Sequence, residues 1–443
     1  MSELNIRKKL ANRKGKIPPS FPYQMLRIFG ADPNCKRMNL EIVDNVGVGT
    51  VPDNFVVVGN HTSRCDWQYI GKAFIGHKLN FIASYIEFNR AHMHLIFDIL
   101  HVIPKRNFVN DVHTIREVMQ IIKAGGNVAF FPEGKSSISG SNQPIMPGTS
   151  LLLKRLGVPV YSTTIRGGYM SNTQWDIYDR PGKVVIEVNS LFTPEELKEL
   201  SLEEMDRRIN EAIYNDDFEW NRTARVKYAG NEQIAHRLEE HIYLCPKCGS
   251  EVDMYGEGNV FKCRKCGNGA TIDEYYDLHP LDSGCVIPKT LRVWYELQRR
   301  KCYREIRDNP DFRIEEKVKL GMLPNDHYVD KTLTAEIVGE GVITLDREKF
   351  TYRGTKNGEP FEISQKTVNL LSVVLETDSS YFGAFLDGLE YYEFHPERKH
   401  TAKWLLSVEE CHRLAGGKWQ NDLPAQQWIY EDDRPNEREL YYL

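Results

Sequence analysis

Apolar and polar positions alternate with different periods along the chain. Between about residues 38 and 190, short runs rich in β-branched residues alternate with helical patterns. The runs predict strands at residues 54–60, 79–86, 101–106, 127–134, 158–166 and 183–189. Residues 111–123 place apolar side chains on one helical stripe, with Asp111 as the candidate N-cap. This alternation predicts an α/β fold with a largely parallel or mixed sheet flanked by helices.

The pattern changes after this region. Residues 193–240 are charged and helical. A cysteine-bearing stretch follows, and a long charged helix is predicted over residues 290–307. From about residue 330 to 400, strict alternation predicts hairpin strands, which are followed by one helix at residues 402–416.

The length of 443 residues is too great for one ordinary core and has room for two or three domains. We predict an α/β domain with a basic, amphipathic N-terminal segment at residues 1–192. A helical connector is expected at 193–240 and a small four-cysteine ribbon at 241–278. The remaining part, residues 290–443, is expected to contain a helix and a mainly β domain.

Net charge, apolar runs and cysteine usage narrow the class of protein. A formal net charge of -5 argues against a nucleic-acid partner bound through overall positive charge. No window approaches the roughly 18 to 20 apolar residues of a spanning helix, and no secretory signal is visible. Most cysteines outside two tight pairs are scattered singly, as in a reducing cytoplasm. We expect a cytoplasmic protein that is soluble or peripherally associated with a membrane.

The N-terminal region has two features of a membrane-binding segment. Residues 1–16 contain six Lys or Arg against one Glu, which suits an anionic surface. Residues 17–29 add apolar side chains beside Arg27, as in a helix whose apolar side enters the headgroup region. Residues 92–100 form a second apolar candidate. The alternatives are a solvated terminus for the first stretch and helices buried against the core for the other two.

The predicted strand at residues 54–60 runs into His61, and Asp66 follows five positions after the histidine. Histidine is suited to general base catalysis near neutral pH if its tautomer and ring orientation are held. A turn into a helix after Thr62 would bring the Asp66 carboxylate back to the imidazole. A catalytic Cys65 thiol and a plain polar helix cap are the alternative interpretations.

Four blocks in order resemble the glycerolipid acyltransferases typified by 1-acyl-glycerol-3-phosphate acyltransferase. Asn60-His61 through Asp66 is similar to the NHxxxxD block of that family, and Phe131-Pro132-Glu133-Gly134 is similar to its FPEG block. Ile103-Pro104-Lys105-Arg106 resembles the block that ends in a phosphate-binding arginine. Val158-Pro159-Val160 resembles the hydrophobic block that lines the acyl pocket. The resemblance covers roughly residues 20–190.

The resemblance implies an acyltransferase-type mixed sheet and a reaction. His61 would take the proton from the free hydroxyl of a lysophospholipid while that oxygen attacks the thioester of acyl-CoA or acyl carrier protein. Asp66 would orient His61, and the implied conversion is that of lysophosphatidate to phosphatidate. The implied substrate-binding residues are Asn60, the phosphate-holding Lys105 and Arg106, the positioning Glu133, and Gly134, Lys135 and Pro159.

This chain departs from the family pattern at several positions. FPEG is followed in the family by Thr-Arg-Ser, whereas Lys135-Ser136-Ser137 stands here, so the planar guanidinium is missing. Leu100 replaces the glycine that opens the arginine block, and Ser162 replaces the second proline of the last block. These departures leave the acceptor headgroup open while the reaction class is retained.

Two CxxCG stretches, Cys245-x2-Cys248 and Cys263-x2-Cys266, are separated by fourteen residues. Each turn points two thiolates at one centre, which predicts a four-cysteine ribbon with structural zinc. Rubredoxin-like iron is the alternative metal. Acidic residues surround the basic side chains of the ribbon, which favours packing or partner docking over nucleic-acid binding.

The hairpin strands with one closing helix in residues 290–443 resemble a pleckstrin-homology (PH) or GRAM-like domain. Such modules bind lipid headgroups or proteins, and the alternative is a plain β domain that packs on the ribbon. A second hypothesis for the whole chain is an inactive acyltransferase-like zinc-ribbon adaptor that binds lipid or protein partners.

Overall fold

The computed structural model describes residues 4–330, 333–386, 388, 390–398, 400–420, 422–432 and 436–443. Residues 1–3 of the predicted basic segment lie outside the described residues. The same holds for residues 331–332, 387, 389 and 399 of the predicted hairpin region.

Seven strands form the first sheet. They are β1 (Glu41–Asp44), β2 (Val56–Gly59), β3 (Leu79–Ser84), β4 (Ile103–Lys105), β5 (Asn127–Phe130), β6 (Val160–Arg166) and β7 (Val185–Phe192). Their order across the sheet is β1-β7-β6-β2-β5-β3-β4. The five strands from β6 to β4 in this order are parallel, β7 is antiparallel to β6, and β1 is parallel to β7. The prediction of a mixed α/β sheet is confirmed.

Eight helices accompany this sheet. They are α1 (Ile6–Ala11), α2 (Ser20–Leu26), α3 (Asp32–Arg37), α4 (Asp66–Ala73), α5 (His94–Ile99), α6 (Val112–Lys123), α7 (Thr149–Leu156) and α8 (Gly168–Ser171). The Asp111 carboxylate accepts from the amides of His113 and Thr114, so the predicted N-cap of α6 is confirmed. Gly125, with φ of 79°, turns the chain after this helix.

Strand β2 is buried on both faces of the sheet. Val56, Val57 and Val58 are fully buried. Because successive side chains of a strand point to opposite faces, Val57 packs with Ile70 of α4, whereas Val56 and Val58 pack with Ile121 of α6. A continuous run of β-branched residues is typical of a strand buried on both faces.

The remaining elements form a connector, a small sheet and a large antiparallel sheet. The helices are α9 (Pro194–Glu199), α10 (Leu202–Ile213), α11 (Asp217–Ala224), α12 (Leu291–Asp308), α13 (Thr401–Leu414) and α14 (Glu437–Tyr441). The small sheet contains β8 (Met254–Glu257), β9 (Val260–Cys263), β10 (Gly269–Ile272) and β11 (Leu278–Pro280). The large sheet contains β12 (Arg313–Met322), β13 (Glu336–Asp346), β14 (Lys349–Lys356), β15 (Glu359–Lys366), β16 (Val374–Leu375), β17 (Phe382–Leu386) and β18 (Glu390–Pro396).

Some boundaries differ from the predicted ones. The strand predicted at residues 183–189 continues to Phe192, because residues up to Phe192 pair with β6. The connector is α-helical only as far as Ala224, and a short 3-10 turn follows at Leu238–Glu240. Arg225 adopts a left-handed conformation with φ of 50°, and the Asn221 side chain bonds the backbone of Val226, which ends the helix. The chain then packs as loops against the small sheet, where the Ala235 amide donates to the Gly258 carbonyl.

Buried charges join the α/β domain to the C-terminal region. Lys135, which follows the FPEG block, donates to the Ser372 hydroxyl at 2.9 Å and forms an ion pair with Glu409 of α13. Arg299 of α12 donates to the other Glu409 oxygen at 2.6 Å and to Glu410 at 2.7 Å. All of these side chains are buried. Burial opposes ionisation of Glu409, but Lys135 and Arg299 outweigh it and lower the pKa of Glu409 to about 2.

We expect Glu409→Gln to lower the free energy of unfolding at neutral pH by about 3 to 5 kcal/mol, because it leaves Lys135 and Arg299 buried without their shared counter-charge. The folded pKa of Glu409 is below its ordinary value of 4.5, so its contribution is present above that pH and is lost as the pH falls toward about 2. Urea unfolding should therefore show a gap between the two proteins that narrows from about pH 5 to about pH 3.

Glu362→Gln serves as the control, because Glu362 of β15 pairs with Arg353 on the exposed surface of the large sheet. It should leave the unfolding curve almost unchanged. An equal loss in both variants would contradict the special role of the buried pair.

Candidate active site

The carboxyl ends of the parallel strands bring three of the sequence blocks to one edge of the sheet. His61 follows β2, Glu133 follows the adjacent β5, and Arg106 follows β4. Ligands of open α/β sheets collect at this edge, where strands end and loops begin. The first three blocks therefore lie on one side of the domain.

His61 and Asp66 are in direct contact. His61 Nδ1 lies 2.9 Å from Asp66 Oδ2, and the Asp66 side chain is fully buried at the first turn of α4. A carboxylate in this position accepts from Nδ1, so the proton stands on that nitrogen and Nε2 is left as an acceptor. The predicted pairing is present in the structure, and it sets the tautomer that a general base requires.

The residues between His61 and Asp66 complete the shell of the carboxylate. The amides of Thr62 and Ser63 donate to Asp66 Oδ2 at 2.6 and 2.9 Å. Their hydroxyls donate to Oδ1 at 2.8 and 2.7 Å. With the imidazole, five donors satisfy one buried carboxylate, and the negative end of the pair lies at a helix N-terminus, where it is favoured.

The backbone of His61 is held by the FPEG loop. Its amide donates to Glu133 Oε1 at 2.8 Å, and its carbonyl accepts from the Ser137 amide at 2.7 Å. The imidazole is stacked on the Phe131 ring, with 4.1 Å between the centroids. The Asn60 side chain bonds both the amide and the carbonyl of Ile165 in β6. Asn60 is thereby committed to joining β2 to β6.

Glu133 is a fully buried link between loops. Besides the His61 amide, its carboxylate accepts from the Asn142 side chain at 3.1 Å and the Gln143 amide at 2.8 Å. Burial raises the pKa of Glu133 to about 8, against the lowering effect of these donors. Glu133 thus bonds the loop around His61, and the positioning of an acceptor by Glu133 stays a prediction.

Arg106 and Lys105 lie at the end of β4 and are turned toward neighbouring protein groups. The Arg106 guanidinium lies 4.6 Å from the centre of the Tyr85 ring, and its Nη1 lies 3.3 Å from Asp111. Among the described residues, Arg106 Nε has no hydrogen-bond partner. Lys105 donates to the backbone carbonyls of Arg106 and Val109, and burial lowers the pKa of Lys105 to about 8.

Gly134 and Lys135 contribute to the loop in different ways. Gly134, with φ of 77°, turns the chain after Glu133, and its carbonyl accepts from Asn107 at 2.8 Å. Lys135 extends to Ser372 and Glu409, as described above, and also lies over the ring of Phe108 at 5.7 Å. Its ammonium is therefore already paired within the protein.

Pro159 is not brought to this edge. It precedes β6, and its carbonyl accepts from the amide of Val56 at the start of β2. Because β2 and β6 are parallel, Pro159 lies at the amino ends of the strands, opposite His61. A contact of Pro159 with substrate stays a prediction.

Two residues of the site were not anticipated from the sequence. Ser136 Oγ lies 3.1 Å from His61 Nε2, the nitrogen opposite Asp66. Asn107 joins the arginine block to the FPEG loop through its bond to Gly134. The only signal for Ser136 was its place in the position where the family has arginine. Cys65, the alternative nucleophile, is buried, and burial raises the pKa of its thiol to about 11.

The four cysteines of the ribbon converge as predicted. Their sulfur atoms all lie within 4.8 Å of one another. Cys245 and Cys266 are separated by 3.6 Å and Cys248 and Cys263 by 3.8 Å between sulfurs. A tetrahedral metal with bonds of about 2.3 Å requires sulfur separations of about 3.8 Å. The geometry of this four-cysteine cluster therefore fits a metal ion.

Exposed apolar side chains mark α2 and the π-helical turn that follows it. Phe21 is 75 % exposed and Phe29 is 70 % exposed, and Met25 and Ile28 lie between them on the same helical side. α5 has a second exposed group in Leu95, Ile96 and Ile99. Both segments keep other side chains in one core cluster, among them Tyr23 of α2. No helix in the described part of the chain has the length and apolar character to cross a bilayer.

Comparison with known proteins agrees with the position of this site. The family model described as Acyltransferase matches residues 42–166, which include His61, Asp66 and Glu133. The 1-acyl-sn-glycerophosphate (LPA) acyltransferase PlsC from Thermotoga maritima aligns with 43% of this chain and 76% of its own, at 23% identity and a TM-score of 0.37. No curated protein matches the chain. Residues 42–166 are thus similar to the Acyltransferase family, and they contain β2 to β6 of the first sheet.

Proposed function

We propose that this protein is an acyltransferase that moves a fatty acyl group from acyl-CoA or acyl carrier protein to the free hydroxyl of a lysophospholipid. The proposed acceptor is lysophosphatidate and the product phosphatidate. The observation that carries the proposal is His61 within the matched domain, with Asp66 on Nδ1 and with Nε2 turned to a hydroxyl group.

The protein has to supply only a base and the correct orientation of the reactants, because a thioester is already activated. His61 Nε2 accepts the proton that leaves a hydroxyl as its oxygen attacks the thioester carbonyl. Asp66 then stabilises the imidazolium and keeps its ring in place. The stack on Phe131 and the two backbone bonds of His61 leave the ring few alternative orientations.

Arg106 is the proposed group for the acceptor phosphate. A guanidinium has five N–H donors and binds phosphate in a bidentate manner. Its contact with Asp111 at 3.3 Å uses one of these donors, and its Nε is unpaired within the described residues. Arg106 is buried in the structure, so in this proposal its side chain turns from Tyr85 and Asp111 to the phosphate, with Lys105 beside it. Lys135 supports the loop through Glu409 in this proposal.

We expect His61→Ala to lower kcat/KM about 10² to 10⁴-fold, because base catalysis contributes an effect of that size. The assay follows transfer from labelled palmitoyl-CoA or palmitoyl-acyl carrier protein to a panel of lysolipids, and mass spectrometry identifies the product. His279→Ala is the control, because His279 lies on the exposed surface of β11.

A wild-type protein that binds lysolipid but forms no product with either donor would favour the alternative, an acyltransferase-like adaptor. A preference for a neutral lysolipid over lysophosphatidate would retain the reaction and reject the role of Arg106. Arg106→Lys tests the role of Arg106 directly, since it keeps the positive charge and removes the bidentate fork of the guanidinium.

Membrane association is proposed to occur through α2, its π-helical turn and α5. An apolar helical side rimmed by basic residues binds the headgroup region of an anionic bilayer. Among the large apolar side chains of residues 4–31, Phe21 and Phe29 are the most exposed, and Arg27 lies between them in the sequence. A site for lipid acceptors at the sheet edge would then operate while the protein is bound to a bilayer.

We expect the double change Phe21→Ser and Phe29→Ser to reduce sedimentation with vesicles of phosphatidylcholine and phosphatidylglycerol at least several-fold, because it removes the two largest exposed apolar groups. Ile337→Ser is the matched control, since Ile337 is an exposed apolar residue of β13, in another domain. Unchanged sedimentation of the double variant would argue against this anchor.

The metal of the four-cysteine cluster is proposed to be structural zinc. Four protein ligands leave no open position for a substrate, and two CxxCG turns with the same hydrogen bonds present them. In each turn the first cysteine accepts from the glycine amide, Gly249 or Gly267. The cluster would stabilise the small sheet, because its ligands join the segment before β8 to the end of β9 and the turn that follows.

We expect about one zinc per chain by elemental analysis, and Cys263→Ser should lose the metal and lower the thermal unfolding midpoint. Cys285→Ser, outside the cluster, should retain both. Iron in place of zinc would support the rubredoxin-like alternative.

A further inference from the structure

A hydroxyl of the chain itself covers the free nitrogen of His61. Ser136 Oγ lies 3.1 Å from His61 Nε2, while His61 Nδ1 lies 2.9 Å from the buried Asp66 carboxylate. The carboxylate can only accept from His61, so Nδ1 carries the proton and Nε2 is an acceptor. Ser136 Oγ therefore donates to Nε2. The family resemblance does not supply this contact, because its pattern has arginine at the position of Ser136.

Ser136 is also the hydroxyl of this loop that faces the open side of the imidazole. The Ser137 hydroxyl is bonded to a backbone carbonyl at 2.7 Å, and the Ser63 hydroxyl donates to Asp66 at 2.7 Å. Both of these serines are buried, whereas Ser136 is partly exposed and the His61 side chain is 22 % exposed. The contact between Ser136 and Nε2 thus lies where a reactant can reach it.

The single lone pair of Nε2 makes this contact exclusive. A general base accepts the proton of the attacking hydroxyl at a distance of about 2.6 to 3.2 Å. Neutral imidazole has one acceptor nitrogen, whose lone pair lies in the ring plane. Two hydroxyls cannot both donate to it in line. An attacking hydroxyl therefore has to take the place of Ser136 Oγ.

This exchange requires the rotation of one side chain only. Lys135, directly before Ser136, forms a buried ion pair with Glu409. The Ser137 amide, directly after it, donates to the His61 carbonyl at 2.7 Å. A serine side chain has three staggered positions about its Cα–Cβ bond. The hydroxyl can thus leave Nε2 while the anchored loop stays in place.

The exchange has different consequences for a lipid acceptor and for water. Both have to displace the hydrogen bond of Ser136. A lipid acceptor offsets this loss through contacts of its headgroup and acyl chain, which are remote from the reacting oxygen. Water has no such contacts. The barrier that Ser136 adds therefore falls mainly on water.

We propose that Ser136 covers the base until an acceptor binds and thereby favours acyl transfer over hydrolysis of the acyl donor. This inference rests on the proposed function, because it assumes a thioester donor and a hydroxyl acceptor. The acceptor hydroxyl remains the attacking group. Ser136 acts through His61 and forms no covalent bond, so it is a positioning residue that determines specificity.

The two competing reactions follow the same steps. The acceptor oxygen bonds to the thioester carbonyl carbon as its proton passes to His61 Nε2, and the carbon–sulfur bond breaks. The imidazolium gives this proton to the departing thiolate, so the products are an ester and a free thiol. Water in place of the acceptor gives a fatty acid and the same thiol. The reactions differ only in the hydroxyl that replaces Ser136 at Nε2.

The first experiment measures how the acyl donor is divided between acceptor and water. The full-length protein is mixed with palmitoyl-CoA, with and without lysophosphatidate, and mass spectrometry quantifies palmitate and acylated lipid. We expect Ser136→Ala to raise palmitate release without acceptor about 2- to 10-fold, the factor that one net hydrogen bond supplies. The KM for the acceptor should fall by a similar factor, and kcat for transfer should stay within about 2-fold.

Two further variants assign the effect to this hydroxyl. Ser136→Thr keeps a hydroxyl on the same carbon and should retain the slow hydrolysis of the wild type. Ser139→Ala removes a hydroxyl three positions along the loop and should also behave as the wild type. Unfolding midpoints equal to that of the wild type show that each variant is folded.

A second experiment needs no turnover. Diethyl pyrocarbonate modifies imidazole nitrogens that are free to attack it, and peptide mass spectrometry gives the rate for each histidine. Ser136→Ala should raise the rate for His61 about 2- to 10-fold. The exposed His279 should react at the same rate in both proteins. The buried His412 reports any loosening of the fold and should stay unreactive in both.

Two results would overturn the inference. One is palmitate release by Ser136→Ala at the rate of the wild type. The other is a fall in kcat for transfer of about 10-fold or more without faster hydrolysis, because Ser136 would then act in the transition state itself.

This inference and the proposed function fail in distinguishable ways. Transfer to lysolipid with equal hydrolysis in the wild type and Ser136→Ala retains the acyltransferase and rejects the cover on the base. Faster hydrolysis and faster modification of His61 in Ser136→Ala, without transfer to any lysolipid, retain the cover and reject the proposed acceptor.

Discussion

The site depends on the burial of one carboxylate. Asp66 lies inside the domain, where an ionised group is tolerated only if donors surround it. The turn from Thr62 to Asp66 supplies four of the five donors, and the fifth is the His61 imidazole. The tautomer and orientation of His61 are therefore consequences of satisfying that charge. The position of Nε2, and so the group that it meets, follows from the same requirement.

Burial of charge also couples the α/β domain to the rest of the chain. Lys135, which follows the FPEG block, belongs to a buried network with Glu409 and Arg299. Loss of one member of such a network strongly destabilises the protein. The C-terminal tail reinforces the contact, because Gln426 donates to the Asn142 carbonyl, next to the loop that Glu133 holds. The FPEG loop and its neighbour thus have two supports from the C-terminal region.

Local patterns were sufficient for much of the fold. Continuous β-branched runs such as that of β2 are buried on both faces, and a capping residue such as Asp111 acts within a few positions of the helix it starts. The His61 and Asp66 pair and each of the two cysteine pairs were predictable for the same reason, because short spacings bring their atoms together through one turn. Boundaries that depend on distant pairing, such as the extension of β7 to Phe192, were not predictable in this way.

What the sequence by itself determined was the α/β class of the first domain, the pairing of His61 with Asp66 and the four cysteines of the cluster near the small sheet. Tertiary structure alone decided that Lys135 pairs with Glu409, that Pro159 lies at the opposite edge from His61, and that Ser136 reaches Nε2. Each of these depends on residues far apart in the chain. Their distances are set by how strands and domains pack, and no local pattern encodes that packing.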